Sequence, residues 1–196
     1  SDPGTSDTDD DFHEFEQNVE EPTDVIPEGL DNSGGCVWQP AWCDVCGQWQ
    51  PLRTYHCKVS GRCVSKFDHY CSTIGTVIGE RNHARFWWFL LFETGTLAWA
   101  MLAVYPGFHD TKAEVGVWMR YNGHALAAEI VLGLILAPVA SLWLLHSFFV
   151  CANLTSYEFM RADKIGYLKG PAEFGLPFSP GLFTNVRGVF LPDGFL

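Results

Sequence analysis

Two long apolar runs limit what this chain can fold into. Phe86 to Tyr105 reads FWWFLLFETGTLAWAMLAVY, 20 residues with one charge, Glu93. As a helix this run is about 30 Å long, the thickness of a bilayer's hydrocarbon core. Ala125 to Val150, ALAAEIVLGLILAPVASLWLLHSFFV, is the second run, with Glu129 near one end and Pro138 in the middle. Trp and Tyr at the ends of such runs suit membrane interfaces, so two transmembrane helices are expected over 86–105 and 125–150; the alternative is a buried helical hairpin in a soluble protein. Glu93 and Glu129 are costly inside lipid and are expected to face protein or the boundary. At 47% hydrophobic and 15% aromatic against 18% charged, the chain is too apolar for disorder and too aromatic for a coiled coil.

The net charge of -11 is unevenly placed. Residues 1–52 carry 13 acids and no Lys or Arg, so the acidity describes a tail and the remainder is close to neutral. Residues 1–35 are acidic, rich in Pro, Gly and Ser and poor in apolar side chains, which predicts a disordered tail or linker. Basic residues cluster elsewhere: Arg53, Lys58, Arg62, Lys66, Arg81 and Arg85 precede the first run, and Arg161, Lys164, Lys169 and Arg187 follow the second. Only Lys112 and Arg120 lie between the runs, so both outer segments are expected in the cytosol and 106–124 is expected to be a non-cytosolic loop. The acidic start has no secretory signal pattern and begins with Ser, so a processed or incomplete chain is expected.

Seven cysteines form an odd set, and five of them, Cys43, Cys46, Cys57, Cys63 and Cys71, fall within 29 residues together with His56 and His69. That clustering indicates metal or thiol chemistry rather than a secreted disulfide framework. Cys43 and Cys46 make a CxxC knuckle, and His56 with Cys63 completes a Cys3His set suited to tetrahedral zinc, free thiols being the alternative. Little helical or strand periodicity runs through 36–85, as expected of a module ordered by metal rather than by an apolar core. Asp68-His69-Tyr70-Cys71 then sets a carboxylate, an imidazole and a thiol side by side. Such a thiol is either an ordinary zinc ligand or a nucleophile held partly as thiolate.

The run CDVCGQWQPLRTYHCKVSGRCVSKFDHYC, followed by Asn82 and Phe86, resembles the cysteine-rich domain of the DHHC protein S-acyltransferases, membrane enzymes that palmitoylate cytosolic cysteines. Two further stretches extend the likeness to about residues 38–190. Thr155-Ser156-Tyr157-Glu158 resembles the family's TTxE motif, and Phe178-Ser-Pro-Gly181-Leu-Phe-Thr-Asn185 resembles its C-terminal motif. The resemblance implies that Cys71 takes a fatty acyl group from acyl-CoA (palmitoyl-CoA) as a thioester and passes it to a substrate cysteine. Asp68 would orient the neighbouring imidazole, and Cys43, Cys46, His56 and Cys63 would hold a structural zinc.

The chain departs from the family at several positions. A second family zinc site maps onto Cys57, Ser60, His69 and Val77, two of which are not ligands, so one zinc per chain is expected. The family's second histidine, its expected general base, is Tyr70 here, whose phenol titrates near about 10. Fungal members with the same Asp-His-Tyr-Cys run are regarded as active, and His69, released from metal duty, becomes the expected base. Ser72 and Thr73 replace a Pro-Trp pair. The family has four membrane helices, two of them ahead of the cysteine-rich domain; none precede it here, which implies a fragment or a reduced bundle. Trp87, Trp88, Phe92, Gly95 and Trp99 are candidates for the wall of the family's acyl cavity, or else lipid-facing and packing residues. Arg53, Lys58 and Arg81 are candidates for CoA phosphates, or else surface charge, and His146 and Cys151 read as packing or boundary residues.

The expected class is a mainly α integral membrane protein, its transmembrane helices carrying a small zinc-stabilised cytosolic cysteine-rich domain over 36–85 and a cytosolic C-terminal tail over 151–196. The expected function is protein S-acyltransfer through acyl-Cys71, with Asp68, His69 and Tyr70 as the other catalytic candidates. The alternative is a catalytically inactive zinc-stabilised membrane adaptor. Expected partners are acyl-CoA, cytosolic or membrane-associated proteins bearing a cysteine, and the lipid bilayer of an endomembrane (Golgi or ER) or the plasma membrane, with the active site facing the cytosol. A nucleic-acid partner is not expected, because no basic stripe exists.

Overall fold

The computed structural model describes residues 40–109, 114–165, 168, 176 and 178–191; the tail expected over 1–35 lies outside the described residues. In chain order come six short strands, β1 (Ala41–Cys43), β2 (Gln48–Gln50), β3 (Thr54–Cys57), β4 (Arg62–Ser65), β5 (His69–Cys71) and β6 (Thr76–Ile78). They are followed by helices α1 (His83–Val104), α2 (Val115–Ala152), α3 (Ser156–Met160) and α4 (Leu182–Phe190), with a 3-10 turn at Tyr105–Gly107. The chain divides into two compact units, Ser1–Val77 with Tyr157–Phe174, and Ile78–Ser156 with Gly175–Leu196.

The helical unit is built on α1 and α2. Both are long and apolar enough to cross a membrane. Their apolar side chains point outward: Phe92, Trp99, Leu102, Ile130, Leu134 and Leu144 are each more than half exposed. Helices of a soluble core bury such residues, so the buried-hairpin alternative does not describe this pair. α1 starts three residues before the expected Phe86, after a turn in which the Asn82 carboxamide oxygen accepts from the Gly79 N–H at 2.9 Å. α2 starts ten residues before the expected Ala125, because Val115 to His124 carry no proline and continue the helix despite Arg120. At 1.5 Å per residue, α2 is about 57 Å long, so its ends extend past any bilayer core.

Polar contacts tie this unit together. Trp87 donates its indole N–H to Ser147 at 2.9 Å, and His83 Nε2 lies 3.2 Å from His146 Nδ1, both rings buried. Asn122, fully buried, accepts from the His109 N–H at 2.7 Å and donates to the His109 carbonyl at 3.1 Å, holding the turn after α1. Asn153 ends α2 in the left-handed conformation (φ 50), and the Leu154 N–H bonds the Phe149 carbonyl at 3.0 Å. Asn185 of α4 donates to the orphan carbonyl of Cys151 at 2.7 Å, and Asn153 donates to the Phe178 carbonyl at 2.7 Å. Glu93 is exposed on α1 rather than turned to protein, and Glu129 is half-buried on α2.

The other unit has three two-stranded hairpins, β1–β2, β3–β4 and β5–β6. Each loop has four residues and closes on a glycine of positive φ, Gly47, Gly61 or Gly75, a conformation that costs a side-chain-bearing residue energy. Among the described residues it buries Cys43, Cys57, Arg53, Thr54, Asp68 and Glu158 with two aliphatic side chains, Val77 and Ile165, so its apolar core is small. The Arg53 guanidinium donates from Nε to Glu158 Oε1 at 2.7 Å and from its terminal NH2 to Oε2 at 2.7 Å. Beside this fork, Tyr157 packs on Tyr55 (4.4 Å between ring centroids) and on Phe67 (5.3 Å). The TTxE-like segment thus cross-links back to β3 and its neighbours. Glu158 is 1% exposed and Arg53 is 7% exposed, so removing one partner strands a buried charge. Glu158→Ala is expected to cost the module about 3–5 kcal/mol, while Arg53→Met with Glu158→Leu costs far less. Urea denaturation of the detergent-solubilised chain measures both, and equal losses in the two variants would contradict this.

Candidate active site

Strand geometry assembles the reactive groups. Successive side chains on a strand point to opposite faces, so on β5 His69 and Cys71 share one face and Tyr70 takes the other. Asp68, 2% exposed, precedes the strand, and its Oδ2 lies 2.6 Å from His69 Nδ1. A carboxylate only accepts, so Nδ1 carries the proton of this bond and Nε2 is left as the nitrogen that receives one. Burial pulls His69 down, but its bond and charge contact with Asp68, together with Cys71, outweigh burial and hold it above the ordinary imidazole range. Burial raises the Cys71 thiol; the Ile74 main-chain N–H, the bond and charge of His69 and the Thr73 N–H more than reverse that, leaving it below the ordinary thiol range. The arrangement is a carboxylate bonded to an imidazole, with a thiol two residues on along the strand whose pKa is drawn down.

A second cluster lies in the same unit. Cys43 Sγ, Cys46 Sγ and Cys63 Sγ stand 3.5, 3.2 and 3.9 Å from His56 Nδ1, and the four ligand atoms all fall within 4.8 Å of one another. With Zn–S of about 2.3 Å and Zn–N of about 2.0 Å, the edge of a tetrahedral site is about 3.5 Å, so the donor set fits zinc. Two hairpins deliver it: β1–β2 supplies Cys43 and Cys46, and the register His56↔Cys63 of β3–β4 sets the other two side by side. Burial raises the Cys63 thiol, yet bonds from Gln50, whose Nε2 lies 3.3 Å away, and from His56 and Gln48 bring it down to about 7. It is therefore easily present as the thiolate a metal requires. Where a second site was expected to be degenerate, Cys57 and Val77 are buried, the Ser60 hydroxyl is buried without a hydrogen-bond partner, and no metal-ligating cluster among the described residues includes Cys57.

The sequence matches the DHHC palmitoyltransferase family over residues 38–163. The chain belongs to that family. Among curated proteins it is 33% identical over 147 residues to protein S-acyltransferase 10 of Arabidopsis thaliana, covering 75% of this chain and 42% of that protein. It is 32% identical over 149 residues to palmitoyltransferase ZDHHC12 of Homo sapiens, with 76% and 54% covered. With palmitoyltransferase PFA5 of Kluyveromyces lactis it shares 30% over 142 residues, with 72% and 37% covered. The chain thus spans about half or less of the length of these relatives. Membership in this DHHC family, with two long apolar helices, makes it a membrane protein.

Several expected roles change with the geometry. Arg53 is buried against Glu158 and is not available to CoA phosphates, whereas Lys58 and Arg81 are exposed. Of the proposed cavity residues, Trp87 sits between α1 and α2, while Trp88, Phe92, Gly95 and Trp99 are exposed on α1. The Arg53–Glu158 fork escaped the sequence reading because 105 residues separate its partners and neither charge looks unusual in a polar segment. Metal analysis of the purified chain is expected to return one zinc, lost in Cys63→Ser together with the order of the hairpins. Two equivalents of zinc would refute the single site.

Proposed function

We propose that this chain carries the acyl-transfer centre of a protein S-acyltransferase and that Cys71 is its nucleophile. The observation that carries the reading is the Asp68–His69–Cys71 group, with a 2.6 Å bond from Asp68 to the imidazole and a thiol drawn below its ordinary range by His69 and main-chain donors. His69 Nε2 takes the proton from Cys71 Sγ, and the thiolate attacks the thioester carbonyl of acyl-CoA. A bond from Cys71 Sγ to the acyl carbon forms, the bond from that carbon to the CoA sulfur breaks, and CoA leaves with the proton from His69. In the second half, His69 deprotonates a substrate cysteine, whose sulfur takes the acyl group, and Cys71 recovers a proton. Asp68 holds the imidazole in one tautomer throughout.

Zinc at Cys43, Cys46, His56 and Cys63 would serve folding by joining two hairpins; no step passes through it. Tyr70 lies on the face of β5 opposite Cys71, which supports His69 rather than Tyr70 as the base. The proposed donor is palmitoyl-CoA or a similar long-chain acyl-CoA. Each buried CH2 contributes about 0.8 kcal/mol, so its tail partitions into lipid while its head stays in water. The Lys and Arg distribution supports a cytosol-facing site in an endomembrane or the plasma membrane, acting on cytosolic or membrane-associated cysteine proteins.

Incubated with a clickable acyl-CoA in detergent or liposomes, the full chain is expected to take up a hydroxylamine-sensitive label at Cys71. Cys71→Ser removes it, His69→Ala slows it by about 10²–10⁴-fold, and Tyr70→Phe leaves it within a few fold. If Cys71 is never labelled, or if Tyr70→Phe abolishes labelling while His69→Ala does not, the reading fails. The pH dependence has a definite sign. A lowered thiol pKa keeps thiolate present at pH values where an ordinary thiol is protonated, and that thiolate is lost as pH falls through the lowered value. Replacing His69 removes one cause of the lowering, so the acid limb of Cys71 alkylation moves toward higher pH in His69→Ala.

A further inference from the structure

The residues of α4 sort onto two faces. At about 100° per residue, Leu182, Phe183, Val186, Val189 and Phe190 fall within an arc of about 120°, and Thr184, Asn185, Arg187 and Gly188 occupy the rest of the circle. Contacts at both edges of the arc fix where α4 sits in the helical unit. Asn185, buried, donates to the Cys151 carbonyl at the end of α2 and to Ser179 Oγ, both at 2.7 Å. The Phe190 ring packs on Trp87 and Trp88 of α1, with 5.2 and 6.1 Å between centroids. The start of α1 and the end of α2 lie side by side, joined by the Trp87–Ser147 bond, so both helices meet the same boundary of the bilayer there. α4 bridges them at that boundary.

These contacts cover only part of the apolar arc. Val186, Val189 and Phe190 are half-buried, whereas Leu182 and Phe183 in the first turn are 62% and 82% exposed. The uncovered part continues a surface already described. Phe183 and Phe190 stand seven residues apart on one edge of the arc, Phe190 touches Trp88, and Trp88 stacks on Phe92 at 5.8 Å between centroids. Trp88 and Phe92 are exposed on the outward, apolar face of α1. One aromatic strip therefore runs from the lipid-facing side of α1 onto α4.

We propose that α4 is an interfacial helix whose first turn sinks Leu182 and Phe183 into the boundary between headgroups and acyl chains of the bilayer that α1 and α2 cross. The occupant of the strip is lipid, because the strip is continuous with a face that lipid covers and lies at the level where both long helices leave the hydrocarbon. Arg187, exposed, stands about 40° from Phe183, at the border between the apolar and polar faces. Its stem lies along the apolar edge there and its guanidinium reaches the headgroup phosphates. Thr184 and Gly188 turn to water. The Asn185 carboxamide answers a main-chain carbonyl of α2 at a depth where water is scarce. The segment 151–196 is then not wholly a cytosolic tail, since α4 is held in the membrane plane. Nothing in this placement depends on Cys71 or on acyl transfer.

The test uses the full chain in nanodiscs of phosphatidylcholine and phosphatidylserine. p-Azidophenylalanine replaces Phe183 in one variant and Thr184 in another, and a nitroxide is clicked to each, which leaves the native cysteines untouched. Relaxation of the label by oxygen, which concentrates in lipid, is compared with relaxation by a nickel chelate, which stays in water. The ratio of oxygen to nickel relaxation is expected to be several-fold higher at 183 than at 184. If the variant at 183 aggregates, the same label at Leu182 decides, with the same expectation. Equal access of the nickel chelate at the apolar and polar positions would place α4 in water and overturn the proposal. A label at 183 shielded from both relaxers, or broadened by a label on a second copy, would assign the strip to a protein contact and overturn it as well. No acyl-CoA is present, so the result is read separately from labelling at Cys71.

Discussion

A module that buries thiols, a guanidinium and carboxylates with few aliphatic side chains besides Val77 and Ile165 gains little from hydrophobic burial, and this constraint governs the part of the chain that holds the Asp68, His69 and Cys71 group. Strands of three or four residues are marginal in water even when paired. What remains to order them are cross-links between hairpins: the Cys43, Cys46, His56 and Cys63 donor set, the Arg53–Glu158 fork, and the Tyr55, Phe67 and Tyr157 rings. The first joins β1–β2 to β3–β4. The second and third bring a segment from beyond the second long helix back onto β3. A dynamic surface loop would let Asp68, His69 and Cys71 drift by more than an ångström, whereas general base chemistry requires hydrogen-bond reach. The cross-links are therefore conditions for the reactive geometry, although none of them touches the sulfur.

The helical unit follows a different rule. α1 and α2 place apolar side chains outward and keep polar contacts for their shared face, as at Trp87 with Ser147 and His83 with His146. In lipid the outward face gains nothing from packing against protein, so association of the two helices rests on such contacts and on shape. The termini matter equally, because an unsatisfied carbonyl at a helix end is expensive near hydrocarbon. Asn153 and Asn185 address that end of α2 from two directions, one by ending the helix in the left-handed conformation and one by donating to Cys151. The asparagine in the C-terminal motif is thus a helix-end residue, and its chemistry is that of a main-chain donor's substitute.

What could be read from the sequence was what residue type and spacing encode. The apolar runs gave α1 and α2 to within a few residues at most ends, and the Cys-His spacing gave a donor set that the register His56↔Cys63 brings together. The start of α2 was missed because hydropathy reports lipid contact, whereas helix continuation through Val115 to His124 depends only on the absence of a breaker. The CoA role offered to Arg53 fails because charge in a sequence carries no burial, and nothing in the sequence pairs Arg53 with Glu158. α3 and α4 were too short for periodicity to announce. The spacing of Cys43, Cys57 and Cys71 is 14 residues, but residue type alone does not show that each ends the first strand of a hairpin.

The loops that follow Cys43, Cys57 and Cys71 show what residue type adds to a similar backbone. Each has four residues and ends in a left-handed glycine. The residue one position before the glycine then determines the fate of the sulfur. A cysteine there, as at position 46, adds a second soft donor, and with Cys43, His56 and Cys63 it completes a donor set that fits a four-coordinate zinc. Serine at position 60 leaves a buried hydroxyl without a partner and too hard a donor to replace a thiolate. Isoleucine at position 74 supplies no ligand atom, so the loop after Cys71 lacks the second thiol that makes the loop after Cys43 a metal knuckle.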